Sequence, residues 1–196
     1  MTLDRILPFT KYLLEKAVKP GDIAIDATCG NGNDTVFLSH LVGEHGKIFA
    51  FDIQQEAIVS TNNRLKELEI KNVHLIQDGH ENVLNYISSE ISAAIFNLGY
   101  LPGSDQTVTT SGTTTWKALT DILLRLKIGG IIILVIYHGH ESGKIEREML
   151  EEAITTLDPS QTEVLRYEFL NKSNAPYIIA IEKKKEKSAI VPKIAK

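Results

Sequence analysis

The sequence has little of what marks several large classes of protein. A single cysteine, Cys29, excludes an internal disulfide and an all-cysteine metal site. No apolar run approaches the roughly 18 residues that cross a bilayer, so we expect no membrane span. Charged residues interrupt the apolar N-terminal stretch and no small-residue cleavage site follows it, so we also expect no secretory signal and a cytoplasmic protein.

The sequence does have the composition of a folded globular domain. Its 196 residues are 43% hydrophobic and 23% charged, a size and composition that fit one domain. Six lysines and one glutamate in residues 183–196 give that segment a charge of +5, which leaves −9 on residues 1–182 of a chain with a total of −4. We expect one domain over 1–182 and a disordered, lysine-rich tail. The acidic domain argues against broad nonspecific nucleic-acid binding, although RNA can still contact a local patch.

Strand-like runs alternate with helical stretches along the chain. Strands are predicted at 23–29, 47–53, 73–77, 93–99 and 131–137, and helices at 3–19, 33–42, 55–68, 80–87, 115–126 and 142–157. Nearly continuous Ile, Val and Leu in the strands indicate a parallel sheet covered on both faces. Two last runs, 162–170 and 176–184, have no helix between them and should form an antiparallel hairpin.

These elements predict an α/β, Rossmann-like fold with a seven-stranded sheet that ends in a C-terminal antiparallel β-hairpin. This layout matches class I methyltransferases, which use S-adenosylmethionine (SAM), better than a six-stranded dinucleotide-binding fold.

The turn after the first predicted strand is rich in glycine and asparagine. Gly30 and Gly32 allow backbone N–H groups to approach a ligand at a helix N-terminus. Thr35 occupies the position where a dinucleotide fingerprint has its third glycine. Asp26 and Asp34 would repel a pyrophosphate but suit a cation such as the ammonium group of SAM. The turn therefore favours SAM over a nicotinamide dinucleotide, with a plain strand-to-helix turn as the alternative.

Polar residues also follow the second and third predicted strands. Asp52 ends the second strand and can accept hydrogen bonds from both ribose hydroxyls of an adenosine, with Gln54 close by. Asp78 can accept a hydrogen bond from the adenine amino group, and Gly79 permits close approach. The alternative is that both aspartates only cap the helices that follow.

The ends of the fourth and fifth predicted strands form the expected methyl-acceptor side. Asn97 should face the reacting methyl group, and Tyr100 could stack on a flat substrate. Tyr137, His138 and His140 could orient an amine or accept its proton. Two histidines at this spacing, with no third ligand in the sequence, do not indicate a metal site, and they could simply cap the next helix.

The predicted site is the sum of these segments. The cofactor-binding set is Asp26, Thr28, Gly30, Asn31, Gly32, Asn33, Asp34, Thr35, Asp52, Ile53, Gln54, Asp78, Gly79, His80 and Asn97. The catalytic set is Asn97, Tyr137, His138 and His140. The substrate-binding set is Tyr100, Thr113 and Thr114, with the two threonines placed on a predicted hydroxyl-rich loop over 102–115 that closes over substrate or is a plain surface loop. No metal is predicted.

Four segments together resemble the YtqB-like rRNA methylase family: Asp26–Thr35, Phe51–Gln54, Asn97–Pro102, and Tyr137–His140 with Gly143 and Glu146. The resemblance extends over residues 1–182, and one departure is Asn33, where many relatives carry histidine. It implies a SAM-dependent methyltransferase that forms a homodimer. The activity it implies is of the MnmM type: methylation of the amine of 5-aminomethyl-2-thiouridine at the tRNA wobble position, which yields 5-methylaminomethyl-2-thiouridine.

Three other functions stay open at this point. One is a SAM-dependent methyltransferase that acts on rRNA or on a small molecule. Another is a nicotinamide-dependent oxidoreductase, against which the incomplete glycine pattern and the terminal hairpin argue. The last is a noncatalytic RNA-binding or assembly protein that retains a SAM-like pocket.

Overall fold

A computed structural model describes residues 2–98, 112–137, 142–172 and 175–185, with the side chains of 142–146 left out. Its helices are α1 (Ile6–Ala17), α2 (Asn33–Val42), α3 (Gln55–Glu67), a 3₁₀ helix (His80–Asn85), α4 (Gly112–Arg125) and α5 (Ser142–Thr155). Its strands are β1 (Ile23–Asp26), β2 (Lys47–Asp52), β3 (Val73–Gln77), β4 (Ile91–Leu98), β5 (Leu126–Ile136), β6 (Thr162–Tyr167) and β7 (Tyr177–Lys183).

The seven strands form one sheet in the order β3-β2-β1-β4-β5-β7-β6. The first five strands run parallel to one another, and β7 pairs antiparallel with both β5 and β6. The order reverses between β1 and β4, which is where α/β sheets bind their ligands. The predicted α/β fold class and the terminal antiparallel hairpin are both confirmed.

Helices cover both faces of the sheet, and the alternation of side chains along each strand assigns residues to one face or the other. Ala24, Ile95 and Val135 pack on the face that α1 and α2 cover. Ile25 and Phe96 pack on the opposite face, beneath the 3₁₀ helix, α4 and α5. By the same alternation, the polar residues at or just after the strand ends, Asp26, Asn97 and Tyr137, lie on the face of the sheet that α2 covers.

Several predicted boundaries shift in the structure. β1 ends at Asp26 rather than at residue 29, because the chain turns there and the N–H of Cys29 donates to the Phe51 carbonyl at 2.8 Å. β5 begins at Leu126 rather than at 131, because a register shift in its pairing with β4 admits a glycine pair within the strand. Gly129 has a φ of +74° there, which suits glycine.

Two predictions about loops and tails are wrong in part. α4 begins at Gly112, so Thr113 and Thr114 lie in the first turn of a helix rather than on a loop. Burial of Thr115, Ala118 and Leu119 along one side of that helix outweighs the weak helix propensity of threonine. Lys183 ends β7 and so belongs to the sheet, whereas residues 186–196 lie outside the described ranges. Among the described residues, no helix is both long enough and apolar enough to cross a membrane.

Candidate functional site

Hydrogen bonds from two neighbouring elements hold the turn between β1 and α2. The backbone N–H of Gly30 donates to Asp52 Oδ2 at 3.0 Å, and the Gly30 carbonyl accepts from Thr61 Oγ1 at 2.8 Å. Thr61 is fully buried on α3. The turn is therefore fixed against the end of β2 before any ligand arrives.

Gly32 is required at the start of α2 for two separate reasons. Its φ of +76° is a left-handed conformation that side chains disfavour. A Cβ at this position would stand 3.0 Å from both Cγ2 and Oγ1 of Thr61. The backbone of the turn therefore lies close to α3, and a side chain at Gly32 would displace it.

Asp26 lies at the end of β1 with no exposed surface. Its carboxylate accepts from Thr35 Oγ1 at 2.6 Å and from the Thr28 N–H at 3.3 Å. Burial, followed by the nearby charge of Asp34, raises the pKa of Asp26 to about 7. This buried acid therefore becomes a stable anion most readily when a positive charge lies against the turn.

Asp52 lies at the end of β2 with its side chain half-buried. Its two oxygens accept from the N–H groups of Gly30 and Gln54, each at 3.0 Å. A carboxylate offers about four lone-pair positions, so two acceptor positions remain for hydroxyl groups. Ile53 follows, and 57% of its surface is exposed, which leaves an apolar surface beside the carboxylate.

Asp78 is engaged by its own local structure. Its Oδ1 accepts from the Gly79 N–H at 2.7 Å and from Asn82 Nδ2 at 2.9 Å, and its Oδ2 accepts from the Tyr86 hydroxyl at 2.8 Å. Hydrogen bonds from Asn82 and Tyr86 lower the pKa of Asp78. These contacts support the alternative in which Asp78 holds the start of the 3₁₀ helix, and its contact with adenine stays a prediction.

His80 is buried beneath the first turn. Its Nδ1 lies 3.1 Å from the Ala27 carbonyl, and its ring meets Phe96 edge-on at 5.4 Å. Because a carbonyl only accepts, Nδ1 carries the proton. Burial lowers the pKa of His80, so the ring is neutral and its remaining nitrogen is an acceptor. The geometry thus gives His80 a supporting position under the turn.

Asn97 at the end of β4 and Tyr137 just after β5 both interact with Asp34 in the first turn of α2. Asn97 Nδ2 donates to Asp34 Oδ2 at 2.8 Å, and the Asn97 N–H donates to Thr28 Oγ1 at 2.7 Å. Burial, followed by the charge of Asp34, raises the pKa of the Tyr137 hydroxyl. Tyr137 is still 41% exposed, so this group of Asp34, Asn97 and Tyr137 opens to the surface.

The structure describes only some of the remaining predicted site residues. Tyr100, His138 and His140 lie outside the described residues. Asn31 lies exposed on the first turn, where its side-chain oxygen accepts from Ser60 Oγ at 3.1 Å. Asn33 is exposed on the first turn of α2.

Sequence reasoning missed Thr61, which stands 31 residues after Gly30 and yet donates a hydrogen bond to the carbonyl of that turn and lies against Gly32. The available signal is a hydroxyl on the stripe of α3 that also carries the buried Ala57 and Leu65. A polar residue on an apolar helix stripe needs a hydrogen-bond partner, and the glycine turn supplies it.

The chemistry of these residues fits SAM. Asp26, Asp34 and Asp52 place three carboxyl groups around one turn, and Asp34 and Asp52 both raise the pKa of Asp26. Such a site disfavours the phosphates of a dinucleotide and favours a ligand with positive charge and ribose hydroxyls.

The comparisons with known proteins agree with this chemistry. A family model described as "Putative rRNA methylase" matches residues 48–183, which is more than half of the chain. The chain belongs to this family. A second model, described as protein-L-isoaspartate(D-aspartate) O-methyltransferase, matches residues 6–86.

Two solved structures are similar to this chain over nearly their whole length. A crystal structure of a "putative rRNA-methylase" from Clostridium thermocellum is 43% identical with a TM-score of 0.91, covering 93% of this chain and 100% of that one. A "putative methyltransferase" from Streptococcus mutans, in complex with SAH (S-adenosylhomocysteine), is 41% identical with a TM-score of 0.86, covering 92% of this chain and 99% of that one. The predicted family, the class I methyltransferase fold and SAM as cofactor are thereby confirmed.

The name of one curated relative includes a substrate. The chloroplastic tRNA (mnm(5)s(2)U34)-methyltransferase of Arabidopsis thaliana is 35% identical over 181 residues, which cover 87% of this chain. This chain spans 66% of that relative's length and 32% of a demethylmenaquinone methyltransferase from Bacillus mycoides that is 31% identical over 77 residues.

Proposed function

We propose that this protein transfers the methyl group of SAM to the amine of 5-aminomethyl-2-thiouridine at the wobble position of tRNA. The observation that carries the proposal is the group of Asp34, Asn97 and Tyr137 at the ends of β4 and β5, because an anion and an amide suit an alkylammonium group. The 35% identity to a tRNA wobble-position methyltransferase supports the same acceptor.

On the cofactor side, residues of β1, β2 and the turn between β1 and α2 would hold SAM. Asp52 has acceptor positions left for two ribose hydroxyls, and the exposed Ile53 would pack against the adenine. Asp26 would act through its charge, since its carboxylate is fully buried behind Thr28 and Thr35. When bound, SAM supplies a methyl group that its sulfonium makes electrophilic, so the protein's own task is placement.

On the acceptor side, Asn97 and Tyr137 would orient the amine. Nδ2 of Asn97 is committed to Asp34, which leaves its Oδ1 as the acceptor for an amine hydrogen. Holding the nitrogen in line with the methyl group converts an encounter into a positioned reaction. His138 and His140 stay in the proposal as predicted relays for the proton that the amine must lose.

We also propose that the protein is a cytoplasmic homodimer. An aromatic cluster links α1 to the edge strand β6, with ring centroids of Phe9 and Tyr167 at 4.2 Å. Tyr12, 44% exposed, stacks on Phe9 at 6.0 Å, and Leu7 on the same helix is 48% exposed; a second copy of the chain would cover these apolar surfaces. Light scattering at several concentrations tests this, and a monomer at all of them would contradict it.

The substrate is tested by mass spectrometry of tRNA nucleosides from cells with and without this protein. Accumulation of 5-aminomethyl-2-thiouridine in its absence, reversed by the purified protein with SAM, is the expected result. The same assay with rRNA as acceptor provides the comparison, and methyl transfer to rRNA but not to tRNA would overturn the tRNA proposal while leaving the methyltransferase intact.

A further inference from the structure

The side chain of Asp34 bonds the acceptor side of the site, although its charge also reaches Asp26 and its place in the first turn of α2 groups it with the cofactor residues in the sequence. In the sheet order β2-β1-β4-β5, the proposed ribose contact Asp52 ends β2, whereas Asp34 bonds Asn97 on β4. The charge of Asp34 also reaches Tyr137, which follows β5. Asp34 thus stands on the acceptor side of the strand-order reversal.

The contact with Asp34 also decides which way the Asn97 amide faces. A carboxylate can only accept, so the amide nitrogen of Asn97 must be the atom at 2.8 Å from Asp34 Oδ2. The Asn97 backbone is fixed too, because its N–H donates to Thr28 Oγ1 at 2.7 Å. One carboxylate therefore orients the amide oxygen and adds a negative charge beside it.

We propose that Asp34 binds the substrate as its alkylammonium ion and thereby selects a cationic amine, an assignment that rests on the proposed function. Asp34 and Oδ1 of Asn97 together supply acceptors for two of the ammonium hydrogens. A neutral hydroxyl or ring carbon would gain nothing from the charge and would leave a partly buried carboxylate without a cation.

The same charge means that Asp34 is a binding residue rather than the base. An anion beside an ammonium stabilises its charged form and so opposes loss of the proton. One proton must leave the nitrogen to another acceptor or to water. The nitrogen lone pair then forms the N–CH₃ bond as the S–CH₃ bond breaks, with its electron pair passing to sulfur. The products are a methylated ammonium and the thioether.

The test uses Asp34→Asn and Asp34→Glu in the full-length protein, with tRNA that carries 5-aminomethyl-2-thiouridine. For Asp34→Asn we expect the KM for this tRNA to rise about 10- to 100-fold, the range for loss of one charge-assisted hydrogen bond. SAM affinity, measured by calorimetry, should stay within about threefold of wild type. Asp34→Glu keeps the charge and should recover part of the lost affinity.

A pH profile separates this role from a merely structural one. Without the anion the bound amine loses its proton more easily, so the acidic limb of kcat should move to lower pH in Asp34→Asn. Among the described residues, the titratable groups that interact with Asp34 are Asp26 on β1 and Tyr137 after β5, and loss of the Asp34 charge lowers the pKa of both. The comparison is therefore repeated in an Asp26→Asn background, where this carboxyl group does not titrate. A limb that stays in place would contradict the assignment.

Asp52 offers a matched control at the other end of the site. Asp52→Ala should weaken SAM binding about 5- to 150-fold, equivalent to a buried contact of about 1–3 kcal/mol, and should leave the KM for tRNA little changed. If Asp34→Asn shows this pattern instead, Asp34 belongs to the cofactor and the inference fails.

Binding in the absence of turnover keeps the test valid if a variant is inactive. With SAH bound, wild type should bind tRNA bearing the 5-aminomethyl group more tightly than tRNA with an unmodified wobble uridine. That preference should vanish in Asp34→Asn and persist in Asp34→Glu, and a preference that survives in Asp34→Asn would overturn the inference. Wild type that binds SAM but never methylates this tRNA would instead overturn the proposed function and, with it, this assignment.

Discussion

At Gly32, the geometry of one residue determines both the shape of the first turn and what can approach it. The positive φ and the 3.0 Å approach to the Thr61 side chain act on the same position. A side chain at Gly32 would therefore meet both backbone strain and a steric clash. Gly21 offers a comparison in which only the backbone strain applies. Gly21 has a φ of +91°, and an added Cβ would meet nothing within 4 Å.

We predict that Gly32→Ala destabilises the protein more than Gly21→Ala does. Both substitutions incur the positive-φ cost of about 1–2 kcal/mol, but only the first also pushes Thr61 away from its hydrogen bond with Gly30. Urea unfolding measures both variants. SAM affinity should fall only in Gly32→Ala, and equal losses of stability would show that the contact with Thr61 relaxes freely.

Asp26 makes stability depend on pH in an unusual direction for a carboxyl group. Its pKa is about 7 when folded and near 3.8 when unfolded, so the folded state binds the extra proton between these values. The contribution of Asp26 to the free energy of unfolding therefore falls as pH rises from about 4 to about 7, by at most about 1.4 kcal/mol per pH unit.

We predict that Asp26→Asn removes this slope when wild type and variant are compared without ligand across that pH range. His80 contributes the opposite trend, since its lowered pKa favours the folded state as pH rises, and subtracting one curve from the other cancels it. Urea unfolding at each pH gives the two curves. Parallel curves would mean that Asp26 is charged throughout.

Residues at strand ends were accessible to sequence reasoning, whereas the supporting contacts were not: Thr61 was missed, and His80 was predicted as a cofactor residue without its contact beneath the turn. Asp26, Asp52 and Asn97 end parallel strands, and the carboxyl ends of such strands share one edge of the sheet. Thr61 and His80 join that edge from a helix stripe and from beneath the turn. Their contacts depend on helix packing across the sheet, which local sequence does not encode.

At the scale of elements, the hairpin of β6 and β7 is joined to α5 by a polar cluster. The Tyr177 hydroxyl donates to Glu151 on α5, and Arg166 on β6 pairs with the other oxygen of Glu151 at 2.9 Å. The guanidinium also lies over the Tyr177 ring, 4.2 Å from its centroid. Burial of the hydroxyl and its bond to Glu151 raise the pKa of Tyr177, so it stays a donor.

We predict that Tyr177→Phe lowers the free energy of unfolding by about 1–3 kcal/mol, because a partly buried carboxylate loses a donor. Tyr167→Phe is the matched control on the neighbouring strand: its hydroxyl donates to the Asp4 carbonyl at 2.7 Å in an exposed position. That variant should lose less than about 1 kcal/mol. Urea unfolding compares them, and a larger loss in Tyr167→Phe would contradict the importance of the α5 contact.

The order of the elements followed from periodicity, but only some of their ends did. β3 (Val73–Gln77) and α2 (Asn33–Val42) have the predicted bounds, because clear turn residues flank each. β5 gains Leu126 to Gly130 because pairing with β4 extends a strand across a glycine pair that reads as a turn. Long-range pairing of this kind outweighs local propensity.

At the scale of the whole molecule, ligand binding should appear as stability. A ligand that binds only the folded state adds about 2.7 kcal/mol at a concentration 100 times its Kd. We predict this gain in urea unfolding for SAM and SAH and none for NADH at the same concentrations. Asp52→Ala should need more SAH for the same gain. Stabilisation by NADH but not by SAM or SAH would contradict the conclusion that the acidic turn favours SAM over a dinucleotide.

The position of β7 has a consequence for synthesis of the chain. Tyr177–Lys183 is among the last segments of the sheet to be made, yet it lies between β5 and β6 rather than at an edge. Until β7 leaves the ribosome, one edge of β5 is unpaired and β6 has no neighbouring strand. A nascent chain that ends before β7 therefore exposes a long, apolar strand edge to its surroundings. Native packing of the sheet is thus deferred until translation of the domain is nearly complete.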